Sequence, residues 1–135
     1  MAAPNIVNVT TITGVTTFHA GIAVTTGGKG ALGITTVVSN AASSGKVLKI
    51  NSLVATAIGS TTGIDVLLFQ EHGGRHNTAI STVSLATTMT VPIFSSLAVI
   101  DKTNSIYIEE NKQIGVRAQS DAGTLDVVCS FEDIS

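Results

Sequence analysis

Short runs of threonine, valine and isoleucine, separated by clusters of glycine, serine, asparagine and aspartate, extend along this whole chain. β-Branched side chains lose rotamer freedom in a helix and pack well on a pleated sheet. No stretch has the i, i+3, i+4 spacing of apolar residues that a useful amphipathic helix requires. The sequence therefore predicts many short strands joined by turns, and an all-β fold.

Ten strands are predicted in a single domain that covers residues 1–135. The segment 47–58 has the clearest pattern, and one of its faces is predicted to hold the apolar residues Leu48, Ile50, Val54 and Ile58. The run 66–69 is apolar on both faces, which predicts a central strand covered on both sides. The predicted strands are 6–13, 16–25, 33–39, 47–58, 64–70, 79–86, 93–100, 105–109, 113–119 and 124–131.

The turns predict how these strands are arranged. Near the C-terminal end, one hairpin is expected to turn at Asn111 and Lys112, and a second at Gly123 with a positive φ, so that three strands form a meander. Regular strand spacing and antiparallel turns favour an antiparallel β-sandwich that resembles a jelly roll. Residues 1–13 fit two interpretations equally, an extended arm that pairs with a neighbouring subunit or an ordinary first strand.

Charged residues are scarce, at 12% of the 135 residues, where soluble domains average about 25%. The polar remainder is mostly threonine, serine, asparagine and glycine, and hydroxyl groups are easily buried because they find backbone partners locally. The net charge of −2 also gives little repulsion between copies. We therefore expect a surface that neighbouring subunits cover, and a homo-oligomer.

Composition also argues against several classes of partner. The seven basic residues are scattered and there is no tryptophan, whereas nucleic-acid binding needs a basic stripe with stacking aromatics. No apolar run approaches the ~18 residues of a membrane span, and the first residues do not resemble a signal peptide. The single cysteine, Cys129, lies in an apolar run and is predicted to be a small buried hydrophobe. We expect the protein to be made and assembled in a cytoplasm, without export.

One stretch, 28–33, matches the G-x-G-x-x-G pattern of dinucleotide-binding turns. That pattern needs a following helix and an acidic residue ~20 positions on. Here poor helix formers follow, and the first carboxylate after the motif is Asp65. We interpret the stretch instead as a glycine loop that crosses close to another backbone, with Lys29 at its tip in solvent or against a neighbour's carboxylate.

No residue pattern predicts an enzyme, a cofactor or a metal site. His72 and His76 are four residues apart, but the glycines between them disfavour a helix, and His19 is the only other histidine. An exposed hairpin tip is the simpler interpretation. No G-x-S-x-G elbow is present, and the adjacent side chains of Glu109 and Glu110 diverge on a strand end.

Three parts of the chain resemble small virion structural proteins of tailed marine bacteriophages, cyanophages in particular: MAAPNIVNVTTITG, NAASSGKVLKINSLVAT, and SIYIEENKQIGV with LDVVCSFEDIS. The segments 17–38 and 71–90 are not placed by this resemblance. In size and composition the chain is similar to head decoration, or cement, proteins. The resemblance implies a β-rich, often trimeric virion component that binds where capsomers meet, with the major capsid protein or another virion protein as its partner.

The resulting expectation is a homotrimeric capsid decoration protein that stabilises contacts between capsid subunits. The alternative is a tail or neck protein that binds a receptor or a glycan. Sugar sites usually present exposed aromatic rings, and the available ones, Tyr107 and Phe18, lie in segments that favour the core. The residues predicted to contact neighbouring chains are Pro4, Ile6, Val7, Val9, Lys29, His72, Arg75, His76, Phe131 and Ile134.

Overall fold

The computed structural model describes residues 9–24, 33–71, 80–119 and 123–135. These residues form nine strands and one short 3-10 helix, Lys102–Asn104. The strands are β1 (Ile12–Ile22), β2 (Thr35–Asn40), β3 (Val47–Ile58), β4 (Thr62–Glu71), β5 (Ile80–Val91), β6 (Ser96–Ile100), β7 (Ile106–Ile108), β8 (Lys112–Ala118) and β9 (Thr124–Ile134).

The strands form two antiparallel sheets that pack face to face, which confirms the predicted all-β antiparallel sandwich. Sheet A has the order β1-β9-β3-β6, and β7 pairs with another part of β3. Sheet B has the order β2-β8-β4-β5. Because β6 lies opposite 53–56 of β3 and β7 opposite 48–50, the two behave as one edge strand interrupted by the 3-10 helix.

The core lies between the sheets and is almost entirely aliphatic. Strands β4 and β8 of sheet B contribute Ile64, Val66, Ile114 and Val116, all completely buried. Alternate residues of β9 meet them from sheet A, among them Leu125 and Cys129. Each large aliphatic side chain fully removed from water contributes about 1.5–3 kcal/mol, so this layer supplies the main driving force for folding.

Strand β4 is central, as predicted, because it lies between β8 and β5. Val66 points into the core, while Leu67 and Phe69 are buried on the opposite face of sheet B. The predicted covering of both faces is therefore confirmed for this strand.

The predicted facing of β3 is correct only for its first half. Its register with β9 shifts between Ile50 and Ser52, which places an extra residue in β3. One extra residue sends every later side chain to the opposite face. The core side chains after the shift are consequently Leu53, Ala55 and Ala57, and the prediction that Val54 and Ile58 share the inward face is wrong.

The two hairpins and the meander predicted near the C-terminus are wrong. Strand β7 pairs with β3, β8 with β2 and β4, and β9 with β1 and β3, so the β7–β8 and β8–β9 connections both cross between sheets. Asn111 does have a positive φ, of 61°, but Gly123 does not. Gly123 is needed for space, since an added Cβ would lie 2.8 Å from the Ser60 carbonyl oxygen.

The start of the chain also differs from the prediction. Strand β1 continues through Gly14, where a break was expected. Just before it, the Thr10 and Thr11 amides donate to the Ser135 carbonyl at 2.8 and 2.9 Å, and the Ser135 amide donates back to Thr11. Residues 10–13 therefore pair with the last strand of their own chain, and residues 1–8 lie outside the described part.

Candidate functional site

Most of the predicted contact residues lie outside the described part of the chain. Among those described, Val9 is half-buried and precedes β1. The side chains of Phe131 and Ile134 are only 9% and 4% exposed, so packing within the chain already accounts for them. The predicted contact residues outside the described part are Pro4, Ile6, Val7, Lys29, His72, Arg75 and His76.

The end of the glycine motif, Gly33, is described, while 28–32 is not. Gly33 has a φ of +60°, and Ile34 packs with Leu67 and Phe69 on the outer face of sheet B. A Cβ added to Gly115 beneath them would lie 2.2 Å from the Ile34 Cγ2 atom. Strand β2 follows, so residues 33–40 lack the helix N-terminus on which a pyrophosphate would rest.

Asp65 is the buried charge of the described structure, at 1% exposure. Its Oδ2 accepts hydrogen bonds from Arg117 Nε at 3.0 Å and from the Gln119 side chain, and its Oδ1 accepts from the Thr88 amide at 2.7 Å. Thr88 has a φ of 51° within a register shift of β5 against β4. Both carboxylate oxygens thus accept hydrogen bonds that stabilise sheet B, and nothing in the sequence pattern indicated this role for Asp65.

The segment 72–79, with His72 and His76, lies outside the described residues, but the strands that flank it pair with each other as a hairpin requires. In the described ranges, no group of three or more histidine, cysteine, aspartate or glutamate side chains could hold a metal ion. Cys129 is fully buried as predicted, and burial raises the pKa of its thiol to about 12.

A cleft of about 340 Å³ opens where the sheets separate, beside the β2–β3 connection. Its floor is apolar, with Val15 and Phe131 among the lining residues. The polar lining is largely engaged within the chain: the Asn40 amide donates to two carbonyls, and Lys46 forms an ion pair with Asp133 at 2.8 Å. The cleft is a shallow groove with few groups left to orient a ligand.

The outer face of sheet A carries an apolar stripe that crosses β1, β9, β3 and β6. We define the apolar stripe as Phe18, Val128, Val54 and Ala98, which lie directly opposite one another in register. Phe18 is 75% exposed and Val128 44%. Directly opposed residues share one face of a sheet, so these side chains form a continuous ridge.

Two rows of polar residues flank the apolar stripe. The hydroxyl row consists of Thr16, Ser130 and Ser52, and the mixed row of Asp126, Thr56 and Ser96. Hydroxyls bond across strands in both rows, between Thr16 and Ser130 at 3.0 Å and between Thr56 and Ser96 at 2.9 Å. The Asp126 carboxylate accepts from the Gly21 amide at 2.9 Å. The centre of this face is therefore apolar and hydroxylated, with one carboxylate at its side.

Charged groups lie further along the same face. Lys49 Nζ lies 3.9 Å from a Glu132 carboxylate oxygen, and Asn51 donates to Glu132 at 3.2 Å. Tyr107 of β7 lies opposite Lys49 and is 47% exposed. The expectation that Tyr107 and Phe18 belong to the core is wrong, because both residues point outward from sheet A.

No helix among the described residues is long and apolar enough to cross a bilayer. No family model matches this sequence, and no curated protein matches it at a significant level.

Proposed function

We propose that this chain is a structural component of a phage particle, a capsid decoration protein that binds the head surface and holds neighbouring capsid subunits together. The observation that carries the proposal is the outer face of sheet A. A protein that seals seams between subunits needs a rigid surface that loses little free energy of hydration when covered, and apolar and hydroxyl groups meet that need better than charges.

Ion pairing within the chain supports the same proposal. Cationic side chains on both sheets lie against carboxylates of their own chain, so much of the small charge complement is neutralised locally. These pairs are Lys46–Asp133, Lys49–Glu132, Lys112–Glu109 and Arg117–Asp65. The rest of the surface formed by the described residues offers mainly hydroxyl and apolar groups to a partner.

The strand order supports a jelly-roll assignment. Strand β1 pairs with β9, β2 with β8, β3 with β6 and β7, and β4 with β5, so the partners nest like one long hairpin wound around the sandwich. Pairs β3–β9 and β4–β8 then join successive turns of that winding. Jelly rolls are common among viral capsid and lectin domains, so the fold suits a capsid-binding role and a glycan-binding role alike.

Multiple weak contacts would give such a protein its strength. In the proposed homotrimer, each subunit contacts the major capsid protein or another virion protein, and the linked contacts reinforce one another. Residues 1–8, with Pro4, Ile6 and Val7, would extend this contact if they form the arm that the sequence allows.

The proposal is tested on purified particles that lack this protein. They should release their DNA at a lower temperature and after a milder osmotic shock than complete particles, and adding the purified protein back should restore resistance. Equal resistance with and without the protein would contradict the clamping role. Absence of the chain from purified particles would refute the virion assignment itself.

A receptor- or glycan-binding role on a tail or neck is the second candidate, and one observation favours it. The half-exposed ring of Tyr107 lies near polar side chains of Lys49, Asn51 and Glu132, and such a group can stack on and hydrogen-bond a sugar. A glycan array and competition of free protein for particle adsorption test it. Tyr107→Ala should abolish binding, whereas Phe94→Ala, at another exposed aromatic, should not.

A further inference from the structure

The geometry points to self-association through the outer face of sheet A, with a second copy of this chain packed on the apolar stripe about a two-fold axis that runs along the stripe. This inference goes beyond the proposed function, because it concerns the isolated protein, in which a second copy occupies the face that a capsid subunit would cover in the particle. We assign a second copy as the partner because the face is complementary to itself, with the apolar stripe against the apolar stripe and the mixed row against the hydroxyl row.

The two-fold axis determines which groups meet. Rotation about the stripe places Val128 on Val128 and Phe18 on Phe18, and it reverses the strand direction, which suits aligned packing of two sheets. The same rotation exchanges the two flanking rows. The mixed row of each copy therefore lies against the hydroxyl row of the other.

This exchange provides the charge complementarity. The carboxylate of Asp126 comes to lie against hydroxyls of the partner's hydroxyl row rather than against a second carboxylate. A bonded pair of hydroxyls uses one O–H within the pair, so the pair of Thr16 and Ser130 keeps one O–H free to donate. A carboxylate that accepts such a bond forms a charge-assisted hydrogen bond, which is stronger than a hydrogen bond between two neutral groups.

Charge placement along the face also favours this axis. The ion pair of Lys49 and Glu132 lies beyond the hydroxyl row, at the periphery of the proposed contact. An interface with an apolar centre and a polar rim is the usual arrangement in stable complexes. A three-fold contact would join two different patches, so the trimer of the proposed function would use another surface of the chain.

Sedimentation equilibrium of the purified full-length protein tests the contact. The wild-type mass should be an even multiple of 13.7 kDa, and Val128→Glu or Val128→Lys should halve it, because each places like charges against each other. The dissociation constant should rise by at least about 100-fold. Mixing the two variants should restore association, since glutamate then faces lysine.

Val83→Glu is the matched control, because Val83 is 62% exposed and lies on β5 of sheet B. It should leave the mass unchanged, and circular dichroism should show that all variants are folded. The inference is overturned if the wild-type protein is monomeric at high concentration, or if its mass is an odd multiple of the chain mass of 13.7 kDa. So does a mixture of the two Val128 variants that stays dissociated. None of these three results bears on whether particles contain the protein.

Discussion

Replacing Gly115 by alanine tests how closely the segment before β2 lies on sheet B. The new Cβ would approach Ile34 Cγ2 to 2.2 Å and Phe69 Cε1 to 2.9 Å, whereas real Cβ atoms essentially never come within 3.0 Å of another heavy atom. Both neighbours are buried, at 5% and 3% exposure, and cannot swing into solvent freely. Overpacking of this kind costs about 1–3 kcal/mol.

For a domain of this size, that loss corresponds to a fall of about 4–12 °C in Tm. Urea unfolding followed by circular dichroism measures the free energy directly. Gly14→Ala is the matched control, because Gly14 also lies in a strand and its added Cβ would meet nothing within 4 Å. Its unfolding free energy should stay within about 0.5 kcal/mol of the wild type.

A double-mutant cycle identifies the cause. Ile34→Ala removes the atom that clashes, so the double variant with Gly115→Ala should lose less stability than the sum of the two single losses. Strict additivity, or a Gly115→Ala protein as stable as the control, would refute the close approach of Ile34 to β8.

Three further predictions concern ionisable groups. Asp65→Ala should lower the unfolding free energy by about 1–3 kcal/mol in urea titrations, because the partly exposed Arg117 guanidinium and the Thr88 amide both lose their hydrogen-bond acceptor; a loss below about 0.5 kcal/mol would contradict this. Cys129 should react with a thiol reagent at pH 8 only as fast as the chain unfolds, because burial raises the pKa of its thiol to about 12. Rapid labelling of the folded protein would be inconsistent with the burial of this thiol. A hydrogen bond from Lys112 lowers the pKa of Glu109, so the stabilising effect of this pair is present above the ordinary value of 4.5 and is lost as pH falls through the lower folded value. Glu109→Gln should make the acid limb of the stability curve slightly less steep, and an unchanged limb would argue against the pair.

The sequence was sufficient for the fold class because β-branched residues and turn clusters are local signals. It located most strands to within a few residues, and it identified β4 as central from the run 66–69 alone. The sequence did not predict correctly which strands pair with each other near the C-terminal end. The chain around Asn111 has the local features of a hairpin, but β7 and β8 belong to different sheets, and only contacts distant in sequence determine that.

The candidate surface was harder to predict, since it depends on which way each side chain faces. The extra residue in β3 moves Val54 outward to join Val128, and no residue in the sequence marks it. Phe18 was expected in the core because it lies in a strand-like segment that favours the core, yet its strand alternates so that Val15 points inward instead. Scarcity of charge predicted that some face would be covered, but not which one.

The pairing of β1 with β9 leaves the two ends of the described chain side by side, with Thr11 and Ser135 joined through backbone and side-chain hydrogen bonds. A short peptide could therefore connect position 135 to position 10 without disturbing either sheet, and new ends could be opened at an exposed loop elsewhere. The same proximity means that a peptide or enzyme grafted after position 135 would emerge beside the first strand. A multi-subunit assembly of this chain would then display its cargo from one pole of every copy.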